Sequence, residues 1–154
     1  MELKTGSVES TLDDKGRVNI PVRFRDQYQG SLVITWGMEH CVWIMTPAVW
    51  EHFERALRNS EMLTQEERLI LEDKHLNQAQ VVELDKSGRI AIPQTIRKYA
   101  NLTRECIVIS AENRLSIWDC GVFDAYLKES DMVARTAMNK LGSQDIFRAK
   151  QDRG

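Results

Sequence analysis

A chain of 154 residues, 42% hydrophobic and 29% charged, has the size and balance of an ordinary globular protein of one domain, or of two small ones packed together. Its formal net charge of −2, read globally, speaks against a nucleic-acid binder. No apolar run approaches the roughly 18–20 residues of a membrane helix, and the start, Met1-Glu2-Leu3-Lys4, lacks the apolar core of a leader, so a cytoplasmic protein with no membrane partner is expected.

Charge is segregated along the chain. Over residues 12–25, Lys15, Arg17, Arg23 and Arg25 stand against only Asp13 and Asp14. Over residues 61–75, Glu61, Glu66, Glu67, Glu72 and Asp73 outweigh Arg68 and Lys74. An acidic whole can therefore present a basic edge. The three cysteines, Cys41, Cys106 and Cys120, are odd in number and show no C-x-x-C spacing, which points to reduced core residues rather than to disulfides or zinc.

The first predicted element is a strand with Val8, Ser10 and Leu12 on one face. Asp14-Lys15-Gly16 suits a three-residue turn with glycine in the left-handed region, and Val18 and Ile20 then resume the period of two, predicting a β-hairpin. Pro21 stops the strand and is pre-shaped for the first position of a helix, which carries Phe24 and Tyr28 on one face and closes at Gly30. Two strands follow, Leu32-Val33-Ile34-Thr35 and Val42-Trp43-Ile44, joined by the turn Gly37-Met38-Glu39-His40. Thr46-Pro47 caps an amphipathic helix bearing Val49, Trp50, Phe53 and Leu57. Thr64-Gln65-Glu66-Glu67 fits a capping box and opens a connecting helix, with a boundary near Asn77-Gln78.

The series then recurs. Residues 84–97 repeat residues 12–25 with Leu-Asp, Gly-Arg, Ile-Pro and a closing Arg in the same places. The second copy has the turn Lys86-Ser87-Gly88, the strand positions Ile90 and Ile92, Pro93, and a helix with Ile96, Tyr99 and Ala100 closed by Asn101. Strands Ile107-Val108-Ile109 and Leu115-Ser116-Ile117-Trp118 flank a turn at residues 111–114, and Asp119 caps a helix bearing Val122, Phe123, Tyr126 and Leu127. Residues 142–154 form a polar, frayed tail. A repeat fixes the architecture. The expected fold is α+β and β-rich, built of two β-β-α-β-β units, each followed by amphipathic helices. Neither unit of about 75 residues holds a secure core alone, so both are expected to close into one pseudo-twofold, barrel-like core. The boundaries are 7–53 for the first unit, 54–78 for a helical connector, 79–126 for the second unit, and 127–154 for a C-terminal helix and tail.

The Asp-x-x-x-Arg turn of each copy, followed by Ile-Pro and a short helix ending in Arg, resembles the swapped-hairpin domain of AbrB-type transcription factors. Two such domains in tandem, each with an amphipathic helix behind it, are similar to the MraZ family over nearly the whole chain. The resemblance implies a bacterial, nucleoid-associated DNA-binding regulator without a cofactor. It implies action on short G-rich repeats in double-stranded DNA upstream of its own operon, a division and cell-wall gene cluster, and a ring-like homo-oligomer. The family motif falls on Asp13 and Arg17 and on Asp85 and Arg89.

Arginine beside a hairpin turn can reach phosphate oxygens or take guanine O6 and N7 with its fork. Arg17, Lys15, Arg89, Lys86 and Arg23 are therefore the candidate DNA contacts, and Asp13, Gly16, Asp85 and Gly88 the residues that support the motif. The first turn is the better equipped, because Lys15 faces Ser87 in the alignment. The competing structural reading pairs each aspartate with its own arginine to hold the turn, and makes Arg25 and Arg97, common to both copies, a structural clamp. An enzyme is not expected. Paired Asp13 and Asp85 differ from an aspartic-protease dyad because Gly16 and Gly88 lie three residues away, and His40, His52 and His75 lack metal-ligand spacing. An interaction or antitoxin-like module with incidental DNA binding is the remaining alternative.

Overall fold

The computed structural model describes residue 3 and residues 5–148. Its first repeat runs β1 (Gly6–Thr11), β2 (Arg17–Asn19), α1 (Val22–Arg25), β3 (Leu32–Trp36), β4 (Val42–Met45) and α2 (Pro47–Asn59). A connector of α3 (Gln65–Leu71) and a π-helical turn (Glu72–Leu76) follows. The second repeat runs β5 (Gln80–Val82), β6 (Arg89–Ala91), α4 (Gln94–Tyr99), β7 (Glu105–Ser110), β8 (Leu115–Asp119) and α5 (Cys120–Glu129), with α6 (Asp131–Gly142) after it. The fold is α+β, with one six-stranded antiparallel sheet, a two-stranded ribbon and several helices.

The sheet order is β1-β7-β8-β4-β3-β5 and the ribbon is β2-β6. Exchanging each strand for its counterpart in the other repeat reverses this order onto itself, so a pseudo-twofold passes between β4 and β8. The two repeats are tied by four strand pairs: β1 with β7, β5 with β3, β4 with β8, and β2 with β6. Here the structure departs from the local hairpin read from sequence. The turn at Asp13–Arg17 forms, and Leu12 bridges Val18, but β1 and β2 then part and each pairs with a strand of the other repeat. A lone two-stranded hairpin is marginal in water. Exchange of partners instead seals the inner face of each strand in a core shared by the two repeats.

Burial explains the gain. Val18, Ile20, Ile34 and Ile44 of the first repeat meet Ile90, Ile92, Val108 and Ile117 of the second in one cluster, each no more than 1% exposed. Every such side chain contributes about 1.5–3 kcal/mol. Tyr99 adds a further tie: its ring stacks on Trp36 at 4.0 Å and its hydroxyl donates to the Gly37 carbonyl at 2.6 Å.

Helix ends follow local chemistry. Thr64 and Glu67 form both bonds of the capping box, and Thr46 accepts from the Val49 N–H. Pro21 and Pro93 stand one place earlier than expected, at the N-cap with ψ near 140°, because each still belongs to an extended segment. The helix after Pro21 is a single turn, yet it buries Phe24, and Tyr28 beyond it is buried as well. Asn101 (φ 52°) takes the left-handed closing conformation after α4, whereas α1 already ends at Arg25, with Asp26 as its C-cap, so Gly30 (φ 72°) turns the chain beyond the helix rather than closing it.

By contact density the chain divides into two units, Met1–Phe123 and Asp124–Gly154. The first contains all eight strands and the core. In the second, α6 has no buried residue and exposes Met132, Val133, Met138 and Leu141. Of the tail expected at 142–154, residues 149–154 lie outside the described residues. No helix among the described residues is long and apolar enough to cross a membrane.

Candidate nucleic-acid interface

The β2–β6 ribbon has Val18 opposite Ile90 at its centre, Arg17 opposite Ala91 and Asn19 opposite Arg89. Strand side chains alternate between faces. Val18 and Ile90 point into the core, which leaves Arg17, Asn19, Arg89 and Ala91 on the outer face. Two arginines thus stand on diagonal corners of one exposed ribbon, supplied by different repeats.

Each arginine is aimed by the aspartate of its own turn. Asp13 Oδ1 accepts the backbone N–H groups of Lys15 and Arg17, both at 2.9 Å, while Oδ2 accepts Arg17 Nε at 2.7 Å. Asp85 repeats the pattern with the N–H groups of Ser87 and Arg89 and with Arg89 Nε, all at 2.9 Å. Engagement through Nε leaves the terminal nitrogens of each guanidinium as further donors. The Arg17 backbone N–H does most to hold the Asp13 carboxyl below its usual value, and the Arg89 N–H does the same for Asp85. Both aspartates are therefore ionised at neutral pH. Arg89 Nη1 also lies 3.9 Å from Asp13 Oδ2, so the two turns share charge across the pseudo-twofold.

The turns are clasped reciprocally. Ile20 N–H donates to the Gly88 carbonyl and Ile92 N–H to the Gly16 carbonyl, each at 2.9 Å. Arg25 Nε donates to the Ile20 carbonyl at 2.7 Å while its guanidinium lies where a Cβ on Gly88 would sit. Arg97 Nη1 donates to the Ile92 carbonyl at 3.0 Å and occupies the same seat over Gly16. Glycine is thus required at 16 and 88 for two reasons: φ of 77° and 78°, and an arginine from the other repeat.

The remaining candidate residues are more scattered. Lys15 and Lys86 are exposed on their turns, next to the ribbon. Arg23 is not brought to the ribbon: its guanidinium lies 4.8 Å over the Phe24 ring and against Gly6 of β1. Asn19 was missed from the sequence, although it occupies an outer corner of the ribbon. Its only signal was a mismatch, Asn19 against Ala91, between the matched Gly-Arg and Ile-Pro pairs. Among the described residues, no group of three or more His, Cys, Asp or Glu side chains is arranged to hold a metal ion.

A family profile described as "MraZ protein, putative antitoxin-like" matches residues 3–73 and again residues 76–141. The chain belongs to the MraZ family. The two matched segments correspond to the two structural repeats joined at the connector. The chain is also similar to the transcriptional regulator MraZ of Treponema denticola, at 36% identity over 139 residues, covering 90% of this chain and 96% of that protein.

Proposed function

We propose that this chain is a sequence-specific DNA-binding transcriptional regulator that presents its β2–β6 ribbon to the major groove. The observation that carries the reading is the pair of arginines, Arg17 and Arg89, each held through Nε by a turn aspartate on one exposed two-stranded ribbon. A ribbon of this width fits a groove about 12 Å across. The arginine forks suit guanine O6 and N7. Asp13 and Asp85 orient the arginines and stay clear of phosphate, which would repel them. Lys15 and Lys86 flank the groove as phosphate contacts, with Arg23 a more distant one. The role of the Treponema denticola relative as a transcriptional regulator supports the reading.

In this reading residues 7–53 and 79–126 are the swapped-hairpin units of a barrel-like core, 54–78 the connector, and 127–154 the assembly helix and tail. The target is a set of short repeats upstream of the chain's own operon, a division and cell-wall cluster, in the bacterial nucleoid. One ribbon with a few phosphate contacts binds at only about 10⁻⁴–10⁻⁶ M at physiological salt. A homo-oligomeric ring raises that by on the order of 10²–10⁴-fold, and the exposed apolar residues of α6 support self-association. The antitoxin-like wording of the family description favours a second reading, a protein-interaction module with incidental DNA binding.

Substitution separates the two. Arg17→Ala should lower affinity for the upstream DNA by about 1–3 kcal/mol for each lost base contact, with unchanged circular dichroism and unchanged oligomeric state. An Arg17→Ala protein that binds that DNA as the wild type does would sink the regulator reading. Stoichiometric co-purification of an unrelated subunit would bring the second forward.

A further inference from the structure

We infer that Asn19 is a base-reading residue that donates its amide nitrogen to an acceptor edge in the major groove and gives the otherwise twofold ribbon a direction. This rests on the DNA reading above.

On the outer face of the ribbon the two repeats supply equal arginines but unequal neighbours. Arg89 stands opposite Asn19, whereas Arg17 stands opposite Ala91. Asn19 is exposed and shares its face with Arg17 two residues away. Its amide orientation is fixed by chemistry. Arg25 Nη2 donates to Asn19 Oδ1 at 3.0 Å, and a guanidinium can only donate, so the oxygen must face inward. Arg25 is itself anchored to the Ile20 carbonyl and seated over Gly88, so the support is rigid. The NH₂ group faces away from Arg25 and donates to no described residue. In the second repeat Arg97 keeps its bond to the Ile92 carbonyl, but Ala91 offers it no acceptor.

With its oxygen occupied, Asn19 cannot make the two-bond contact that a free asparagine makes to adenine. It can only donate. In the major groove its amide N–H therefore donates to guanine O6 or N7, thymine O4 or adenine N7, and rejects cytosine, which presents its N4 amino group there. The corner occupied by Ala91 offers a methyl group instead. A duplex bound in one orientation matches both corners, and the reversed duplex mismatches them.

The test is selection from a duplex library with a randomised core, using the full-length wild-type chain, Asn19→Asp and Asn19→Ala. Asn19→Asp keeps an acceptor for Arg25 and so preserves the support, but replaces the outward donor with an oxygen. The wild type should enrich a motif in which one position excludes cytosine. Asn19→Asp should admit a donor edge, cytosine N4 or adenine N6, at that position alone. Asn19→Ala should lose the preference there and bind the wild-type site roughly 2- to 12-fold more weakly, the value of one ordinary hydrogen bond. A motif unchanged in both variants, with binding weakened equally on all sequences, would make Asn19 a phosphate contact and overturn the inference alone. Failure of the wild type to enrich any motif would overturn the DNA reading together with it.

Discussion

Gly16→Ala probes the clasp between repeats. A methyl at this position would lie 1.4 Å from Arg97 Nη1 and 2.5 Å from its Cζ, with the backbone at φ 77°. The left-handed conformation costs alanine about 1–2 kcal/mol, offset by about 0.4–1 kcal/mol from a less flexible unfolded chain. The guanidinium is the far end of a flexible side chain, so it swings aside rather than forcing the backbone. What is lost is its bond to the Ile92 carbonyl, about 1.5–3 kcal/mol for a charged donor. The expected total is a destabilisation of about 2–4 kcal/mol. Urea unfolding followed by tryptophan fluorescence, at one fixed protein concentration, measures it. Combining the change with Arg97→Ala isolates the clasp, since Gly16→Ala should then cost only its backbone part and the cycle should show about 1.5–3 kcal/mol of coupling. Additive single costs would mean that Arg97 is not seated over Gly16, and the reciprocal clasp would be wrong. Gly88→Ala should be the more damaging change, because Arg25 would give up bonds to both the Ile20 carbonyl and Asn19.

Two further outcomes follow from the titrating groups. Asp13 and Asp85 are held below the usual aspartate value of 3.8, chiefly by the backbone N–H of Arg17 and Arg89 respectively. Their contribution is thus fully present above that unfolded value and fades as pH falls through the lower folded one. Acid unfolding curves of Asp13→Asn and Asp85→Asn should therefore be flatter below about pH 4 than that of the wild type, and an unchanged acid slope would refute the assignment. Burial pushes the thiols of Cys41 and Cys106 up to about 12. Iodoacetamide at pH 8 should spare both in the native chain and modify them only after unfolding, as mass spectrometry of tryptic peptides would report.

Much of this architecture was legible in the sequence because the repeat constrains it twice. Gly16 and Gly88 marked the turns, and Val18, Ile20, Ile90 and Ile92 marked the buried faces. Strand partners were not legible. A period of two shows which face of Val8 and Val18 is buried, but not that β1 lies against β7 or β2 against β6. Pro21 marked the junction of strand and helix, while its exact role depended on the extended ψ that only the folded chain reveals. The arginines of the candidate interface were visible through their recurrence. Asn19 was not, because alignment of two copies rewards identity and the asymmetry of a pseudo-twofold site lies in the positions that differ. The seating of Arg25 over Gly88 and Arg97 over Gly16 joins residues from different copies, so it emerges only once the repeats interlock.

The most direct measurement is fluorescence-anisotropy titration of the full-length protein with the DNA upstream of its own gene and with a scrambled duplex, over a series of salt concentrations. A groove-reading regulator should prefer the upstream duplex at every salt. Its log affinity should fall linearly with log salt, at a slope of about 0.9 per phosphate neutralised. Equal, weak binding to both duplexes throughout the series would contradict the DNA reading and leave the ribbon arginines as a purely structural feature.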